Sequence, residues 1–344
     1  MGRVVLVTGV SRDLGGRFAR RIADHPEIDR VIGVDVLPPR RDLGVVRFVR
    51  VDIRNPVIAK VIAAEGVDTV VHLGVIATPS AAGSRALTKE INVIGTMQLL
   101  AACQQAPGIE RLVVKSSSAV YGSSAEDPAM FVEDQDPRRL PGSGFGKDSV
   151  EVEGYVRGFA RRRPDVVVTM LRIANVIGPE IDTALTRYFC LPVVPTVVGF
   201  DPRLQFCHEQ DALAALDHAT RTRVHGTFNI AGDGVMMLSQ VVRRLGRPAL
   251  ALPSTGLSAI GSLFPQARGA QLSVEQAAFL TYGRVLDTTR MRELLGFEPG
   301  YTTSAAFEAF ARRLRPGPLN AARLRDAEKQ VAHLVTKVVS GVGH

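Results

Sequence analysis

Short, nearly continuous runs of valine, isoleucine and leucine recur along the chain and are separated by more polar stretches. The runs cover residues 3–8, 30–35, 45–52, 68–74, 111–117, 166–174 and 228–232. An apolar run without alternation is typical of a strand that is buried on both faces. The stretches between them predict helices that start near Leu14, Pro56 and Ser84, and a further helix that contains residues 148–163. Strands that alternate with helices predict an α/β fold with a doubly wound parallel sheet.

The alternation loosens after Gly178 and Pro179, and residues 246–272 are rich in glycine, proline and serine. We therefore expect a first domain over residues 1–178, with its sheet completed by about 204–232. A smaller, interleaved lobe over 179–315 is expected to bind the substrate, because ligand sites usually lie where such a lobe covers the strand ends.

The last segment, residues 316–344, is predicted to be a basic, amphipathic tail. Within it, apolar residues recur at three- and four-residue steps over 319–339, with arginine and lysine between them, which predicts an amphipathic helix. We expect this helix to dock on its own chain or on a second subunit of a homodimer. Membrane association is the minor alternative.

Composition narrows the class of protein. The 344 residues are 46% hydrophobic and 22% charged, which suits a soluble globular protein. We expect no signal peptide, because the short apolar start runs straight into a glycine-containing turn, and no membrane helix, because no apolar run reaches 18 residues. Three widely spaced cysteines, Cys103, Cys190 and Cys207, indicate reduced thiols in a cytoplasmic protein and neither a disulfide framework nor a metal site.

The formal net charge is +8, which could favour an anionic partner. The basic clusters are short and have no aromatic residues between them. A solvated face or a site for a phosphate-bearing ligand is therefore expected before nucleic acid or a membrane.

A glycine-containing turn joins the first predicted strand to the first helix in VLVTGVSRDLGG, residues 5–16. Gly9 permits a tight turn, Gly15 permits close packing of the helix on the strand, and the helix amides can hold a pyrophosphate. Arg12 and Asp13 occupy the middle positions, where one further glycine is expected. The turn predicts that the first domain binds a dinucleotide.

Two aspartates support this prediction. Asp35 ends the second predicted strand, where a carboxylate can accept hydrogen bonds from the adenosine ribose, and Asp52 ends the third, near the adenine edge. The alternative is that both open polar turns. Asp35 would repel a 2′-phosphate and so favours NAD, whereas Arg12, Arg40 and Arg41 could pair with that phosphate and favour NADP. We expect NAD.

The motifs together resemble the extended short-chain dehydrogenase/reductases, the NAD-dependent epimerase/dehydratase family, which have a Rossmann fold. The resemblance covers roughly residues 1–310 and is strongest to nucleotide-sugar epimerase-like members, including actinobacterial ones. The matching pieces are VTGVSRDLG (7–15), VIGVD (31–35), VDI (51–53), DTVVHLG (68–74), NVIGTMQLLAAC (92–103), SSSAVYG (116–122), LRIANVIGP (171–179), LQFCHEQDA (204–212), FNIAG (228–232) and DTTRMRELLGFEP (287–299).

The resemblance implies roles for particular residues. Ser117 corresponds to the family's serine or threonine that hydrogen-bonds the reacting oxygen. The implied substrate residues, for a ligand such as a nucleotide sugar, are Ser118, Tyr121 and Asn175. The implied cofactor residues are Gly9, Ser11, Arg12, Asp13, Leu14, Gly15, Asp35, Asp52, Ile53, Leu73, Gly74, Asn92 and Ser116.

The chain departs from the family at its catalytic pair. The resemblance implies a Tyr-x-x-x-Lys pair at the start of the helix after SSSAVYG, but Phe145 stands at the Tyr position and Ser149 at the Lys position, with Glu153 in its usual place. Phenylalanine has no proton to give, and serine supplies no fixed positive charge. Lys147 is the possible substitute.

Three hypotheses follow. The first is an NAD-binding protein with a nucleotide-sugar-type cleft and lost or weak catalysis. The second is an active epimerase, dehydratase or reductase on a nucleotide sugar, with a proton path rerouted through Ser117 and Lys147. The third is a non-enzymatic scaffold for anionic partners, which the basic tail alone favours.

Overall fold

A computed structural model describes residues 2–75, 85–135, 141–142, 144–253, 273–314 and 317. The tail helix expected over 319–339 lies outside these residues.

The strands of the described residues are numbered in chain order. They are β1 (Arg3–Thr8), β2 (Ile28–Asp35), β3 (Arg47–Arg50), β4 (Thr69–His72), β5 (Arg111–Ser117), β6 (Val167–Ile173), β7 (Asn175–Ile177), β8 (Val194–Val197), β9 (Arg203–Leu204), β10 (Phe206–His208), β11 (Gly226–Ile230), β12 (Met236–Met237) and β13 (Ala249–Leu252). Seven of them form one sheet in the order β11-β6-β5-β4-β1-β2-β3. All neighbours in this sheet run parallel. The predicted doubly wound α/β fold is confirmed.

The helices are numbered in the same way. They are α1 (Asp13–Ala23), α2 (Val57–Glu65), α3 (Arg85–Lys89), α4 (Gly95–Gln105), α5 (Gly144–Arg162), α6 (Ala184–Phe189), α7 (Glu209–Arg221), α8 (Leu238–Arg244), α9 (Val274–Tyr282), α10 (Thr289–Glu293) and α11 (Thr303–Ala311). A π-helical turn, Glu90–Ile94, links α3 to α4, and a 3₁₀ turn, Ser118–Tyr121, follows β5.

The central sheet is covered on both faces. Successive residues of β1 enter different cores: Val5 and Val7 pack with Phe18 of α1 and residues of α7, whereas Leu6 packs with residues of α2, α4 and α5. This is the alternation that a strand imposes on its side chains. Helices on both faces leave the carboxyl ends of the strands as the open edge where a ligand can bind.

A second hydrophobic core lies in the later part of the chain and is rich in aromatic residues. The Phe189 ring meets Phe206 edge-on at 6.2 Å, and Phe206 stacks on Phe307 at 6.3 Å between centroids. The chain between these residues returns to the main sheet, where β11 pairs with β6. The interleaving of the lobe is thus visible in the pairing, while the domain boundaries stay a prediction.

Within the described residues, none of the helices combines the length and the apolar character needed to cross a bilayer. The three thiols are free, with Cys103 and Cys207 buried and Cys190 exposed.

Candidate functional site

The turn between β1 and α1 requires its glycines. Gly9 has a φ of +82°, in the left-handed region, and a Cβ there would lie 2.9 Å from the Cα of Gly74. A Cβ on Gly15 would lie 2.2 Å from the carbonyl oxygen of Gly9. Helix α1 therefore starts in direct contact with the turn, and its first amides face the open edge of the sheet.

Arg12 is the residue before α1, with an extended backbone (φ −91°, ψ 153°) and no side-chain cap bond. Its side chain is half-buried. Burial lowers the pKa of Arg12, Asp35 opposes this effect, and Arg40 adds to it. Asp13 and Leu14 follow in the first turn of the helix, where Asp13 binds Arg17 at 3.3 Å and Leu14 packs on the core. Arg12 thus places a positive charge where the cofactor's phosphates are expected.

The Asp35 carboxylate is held beside this turn. Its Oδ2 accepts hydrogen bonds from the Ser11 amide at 3.0 Å and the Ser11 hydroxyl at 2.6 Å, and its Oδ1 accepts one from the Val36 amide at 2.8 Å. These contacts orient an acceptor at the end of β2, the position that the sequence predicted for the ribose.

Asp52 follows β3, and its carboxylate forms an ion pair with the nearby Arg54. Arg54 donates to Oδ1 at 3.0 Å and to Oδ2 at 2.6 Å, and this hydrogen bonding lowers the pKa of Asp52. Ile53 between them is buried. The side chain of Asp52 is thus ion-paired, and its predicted contact with adenine stays a prediction.

A buried network forms the floor of the cleft. The Thr8 oxygen accepts from the amides of Leu73 and Gly74, both at 3.2 Å, and lies 2.8 Å from Nδ1 of His72. Nε2 of His72 lies 2.9 Å from the Thr96 hydroxyl. Burial, and then the charge of Lys115, lowers the pKa of His72 to about 4. The ring is therefore neutral at pH 7.

Asn92 is fully buried in the π-helical turn and donates from Nδ2 to Asp148 of α5 at 3.1 Å. Asp148, also fully buried, accepts two hydrogen bonds of 2.6 Å from Arg85. Arg85 also donates to the carbonyl of Gly144 at 2.8 Å. This cluster ties the segment before α4 to the first turn of α5.

Ser116 and Tyr121 both face the protein interior. Ser116 donates to Glu153 at 2.6 Å, and Glu153 is paired with Arg172 at 2.7 Å. Tyr121 is 1% exposed, donates to Asn229 at 2.8 Å and accepts from Arg172 at 2.8 Å. Burial works against the charge of Arg172, but its contacts with Glu153 outweigh this effect and raise its pKa. The cofactor role of Ser116 and the substrate role of Tyr121 stay predictions.

Ser117 ends β5 and opens the 3₁₀ turn. Its oxygen accepts from the Ala119 amide at 3.2 Å, and the side chain is half-buried. The next residue, Ser118, accepts from Arg284 at 3.3 Å. Asn175 is half-buried at the start of β7, where it pairs in register with Phe206. Ser117 is therefore placed at the carboxyl edge of the sheet, where it can hydrogen-bond a ligand oxygen.

The two positions of the expected catalytic pair are used for packing. Phe145 packs against the core between the sheet and α5. Ser149 is buried and donates to the carbonyl of Phe145 at 2.8 Å, one helical turn earlier. Lys147 lies between them and is exposed. A hydroxyl bonded to its own helix and a phenyl ring supply neither a proton nor a charge.

The first turn of α5 is instead bound by an acid from α9. Glu275 accepts from the Gly146 amide at 3.0 Å. A Cβ on Gly146 would lie 2.7 Å from the carbonyl of Ala119 and 3.0 Å from Glu275 Oε1, so this carboxylate lies close to the turn of Ser117. Burial raises the pKa of Glu275, and the amides of α5 oppose the shift.

A second charged residue, Arg284, contacts the same turn. It donates to the carbonyl of Gly122 at 2.7 Å and to the hydroxyls of Ser118 at 3.3 Å and Ser123 at 3.1 Å. It also lies over the ring of Phe279, 5.4 Å from the centroid. Burial lowers the pKa of Arg284 to about 10. Within the described residues, no carboxylate lies within ion-pair distance of it.

Residues 5–231 match the family model described as NAD dependent epimerase/dehydratase family. The chain belongs to this family. The match spans the glycine turn, the end of β5 and the start of α7, so the family assignment rests on the same elements that build the cleft.

Among the curated relatives of this epimerase/dehydratase family member, an uncharacterized protein of Mycobacterium tuberculosis is 52% identical over 314 residues, 90% of this chain and 84% of that protein. Solved structures of nucleotide-sugar epimerases share the fold. UDP-glucose 4-epimerase of Thermotoga maritima, with UDP-glucose, covers 90% of this chain and 98% of its own at 18% identity, with a TM-score of 0.69. UDP-glucuronic acid 4-epimerase of Bacillus cereus, with UDP-glucuronic acid and NAD, has the same coverage at 20% identity and a TM-score of 0.68.

Sequence reasoning did not find Glu275 and Arg284 in this family member. Both lie more than a hundred positions after the turn that they contact, and neither stands in a recognised motif. One signal was present: Ser273 and Gln276 form a capping box at the start of α9, which places Glu275 in the first turn of a helix. Nothing in the sequence indicates where that helix packs.

Proposed function

We propose that this protein binds NAD(H) at the carboxyl ends of β1, β2 and β4 and a nucleotide-sugar-type ligand beside Ser117, without the ordinary proton transfer of its family. The observation that carries the proposal is the hydrogen bond from Ser149 to the carbonyl of Phe145. This bond engages the hydroxyl of Ser149, which stands at the family's lysine position. Phe145, at the tyrosine position, has no ionisable group.

Without the tyrosine and the lysine, the proposed site loses a large contribution to the reaction rate. A positioned general acid or base contributes about 10²–10⁴-fold to the rate, and a neighbouring positive charge is needed to bring a phenol towards neutral pKa. Lys147 is exposed and does not replace that charge in the described arrangement. Turnover of a nucleotide sugar by the usual route is therefore expected to be negligible.

The proposed preference for NAD rests on Asp35 and on the state of the nearby arginines. Asp35 presents a fixed carboxylate beside the turn. Arg41 is paired with Asp13 at 3.1 Å and with Glu180 at 3.1 Å, and Arg40 is exposed. Because Arg41 already forms ion pairs with two carboxylates, it is less free to bind a 2′-phosphate, which supports NAD over NADP. The solved epimerase of Bacillus cereus contains NAD as well.

The proposed ligand class rests on Ser117 at the end of β5 and on Asn175 at the start of β7. The related structures hold UDP-glucose or UDP-glucuronic acid. Arg284 places a buried positive charge at the turn that follows Ser117, which supports an anionic ligand, and the charges of Glu275 and Asp127 act on it without an ion pair among the described residues. Assembly as a homodimer stays a prediction.

A second candidate function is slow catalysis with Glu275 as the proton carrier. Burial raises the pKa of Glu275, and its carboxylate lies near the turn that holds Ser117. Such an acid could exchange a proton with a ligand oxygen oriented by Ser117.

One experiment separates the two candidates. Binding of NADH is measured by calorimetry, and UDP-glucose and UDP-glucuronic acid are then assayed for interconversion and for reduction of NAD. Binding without turnover supports the first candidate. Turnover that Glu275→Gln abolishes and Lys147→Gln leaves intact supports the second. Loss of turnover in Lys147→Gln alone would support the path through Lys147, and failure to bind NADH at millimolar concentration overturns both candidates.

A further inference from the structure

Lys115 is a charged residue in the middle of the parallel sheet. It lies on β5 two positions before Ser117, so the two side chains leave the same face of the strand. Ser116 between them points to the opposite face, where it binds Glu153 of α5. Lys115 therefore projects to the face that carries α1 and the glycine turn, and it is half-buried there.

A positive group, Arg12, acts on this lysine, whereas the nearby His72 is neutral at pH 7. Arg12, in the turn before α1, is close enough to lower the pKa of Lys115, and Lys115 in turn lowers the pKa of His72 on β4. Burial is the larger cause for Lys115, and together with Arg12 it brings the pKa to about 8. Lysines are seldom buried without a partner, because desolvation of the ammonium group is costly.

The carboxylates on the neighbouring elements are bound elsewhere. Glu153 lies on the opposite face of β5 with Arg172, and Asp35 holds Ser11 while acting on Arg12. The first turn of α7 carries Glu209, paired with Arg17 at 3.2 Å, and Asp211, which accepts from the amides of Gly300 and Tyr301. The backbone of Lys115 pairs with β6, but among the described residues its ammonium group has neither an ion pair nor a hydrogen bond.

We propose, on the basis of the function proposed above, that Lys115 and Arg12 bind the diphosphate of the dinucleotide between them and that Lys115 takes up a proton as the ligand binds. The two cations repel each other in the protein alone. A diphosphate supplies two negative charges next to the helix amides of α1, which offsets the repulsion and replaces lost hydration. Lys115 and Arg12 thus take over the phosphate contacts that the missing glycine would have left to the backbone.

The affinity for the dinucleotide should depend on pH, because binding of the diphosphate and protonation of Lys115 favour each other. Below pH 8, Lys115 of the free protein is already protonated, and affinity is at its maximum. Above that pH the free lysine loses its proton, whereas the bound lysine keeps it because the diphosphate raises its pKa. In this window binding takes up a proton, and affinity falls by up to about tenfold per pH unit.

The proposal is tested by calorimetry with NADH and, separately, with ADP-ribose. Each titration is run near about pH 9 in two buffers of different ionisation enthalpy, which gives the number of protons taken up. The wild type is expected to take up a proton, and Lys115→Gln is expected to take up none and to bind about ten- to a hundredfold more weakly at neutral pH. Lys115→Arg, which keeps its charge at both pH values, is expected to bind without proton uptake.

Lys60→Gln on α2 is the control, since Lys60 is an exposed lysine outside the cleft. It is expected to behave as the wild type, and thermal unfolding checks that each variant is folded. NADH binding without proton uptake, or unchanged uptake in Lys115→Gln, overturns the proposal and leaves the NAD function standing. ADP-ribose binding with uptake, in a protein that does not bind NADH, supports the diphosphate site and overturns the NAD function. Binding of neither probe overturns both.

Discussion

Ser149 and Phe145 are joined by a hydrogen bond within α5: the serine hydroxyl donates to the phenylalanine carbonyl at 2.8 Å. Ser149 stands at the family's lysine position, and this bond ties its side chain to the backbone of its own helix. Phe145 packs in the core at the same time. The site keeps Ser117 and the glycine turn, while a phenyl ring and a helix-bonded hydroxyl stand at the two positions of the family's catalytic pair.

Restoring the pair should restore chemistry. The double change Phe145→Tyr with Ser149→Lys is expected to raise interconversion of a UDP-sugar that the wild type binds by about 10²–10⁴-fold, because it supplies a phenol and the charge that lowers its pKa. Phe145→Tyr alone should gain little. The control is Tyr155→Phe, an exposed tyrosine further along α5, which should change nothing. Efficient turnover by the wild type would contradict the prediction.

Gly15 should not tolerate a side chain. In Gly15→Ala the new Cβ would lie 2.2 Å from the Gly9 carbonyl, so either α1 or the turn must move. We expect loss of NADH binding in calorimetry and a lower melting temperature. The matched control is Gly154→Ala in α5, where nothing lies within 4 Å of the added Cβ. That change should stabilise the protein by about 0.5–1 kcal/mol through helix propensity, and equal behaviour of the two variants would contradict the proposed role of the turn.

Asp35 should set both affinity and cofactor choice. Asp35→Ala removes the acceptor that Ser11 orients, and with it the proposed hydrogen bonds to the ribose. Charge-assisted bonds contribute about 1.5–3 kcal/mol, so NADH binding should weaken by about ten- to a hundredfold. The ratio of NADPH to NADH affinity should rise, because a repulsive charge is gone. Asp29→Ala, at an exposed position, is the control; equal loss of both cofactors in Asp35→Ala would place Asp35 in folding instead of recognition.

The ion pair of Glu153 and Arg172 should dominate the stability of the β5 end. Both side chains are buried, with 2.7 Å between them, and Glu153 also accepts from Ser116. Glu153→Gln leaves a buried guanidinium without its counter-charge, so urea unfolding should show a loss of about 3–5 kcal/mol. The exposed pair of Glu110 and Arg223 provides the control, since Glu110→Gln should cost at most about 1 kcal/mol. Similar losses in both variants would show that burial does not decide the effect.

The strands at the centre of the sheet could be predicted closely from the sequence. The apolar runs at 3–8 and 111–117 coincide with β1 and β5, because each of these strands has a partner on both sides and helices on both faces. The apolar run at 45–52 predicted a longer strand than the structure has, since β3 spans only Arg47–Arg50. Its strand, β3, lies at the edge of the sheet and pairs with β2 alone, so fewer of its residues are held in a ladder.

The glycine turn, the carboxylate at Asp35 and the absence of a tyrosine–lysine pair are local features, and the sequence by itself determined them. They depend on backbone conformation and residue type within a few positions of one another. Tertiary structure decided which charges meet. Glu275 and Arg284 come from α9 and the segment after it to reach the turn of Ser117, and Asn92 finds its partner in Asp148 of α5. Burial and the charge of Arg12 lower the pKa of Lys115, and both result from folding, because the pKa of a side chain depends on every group brought near it.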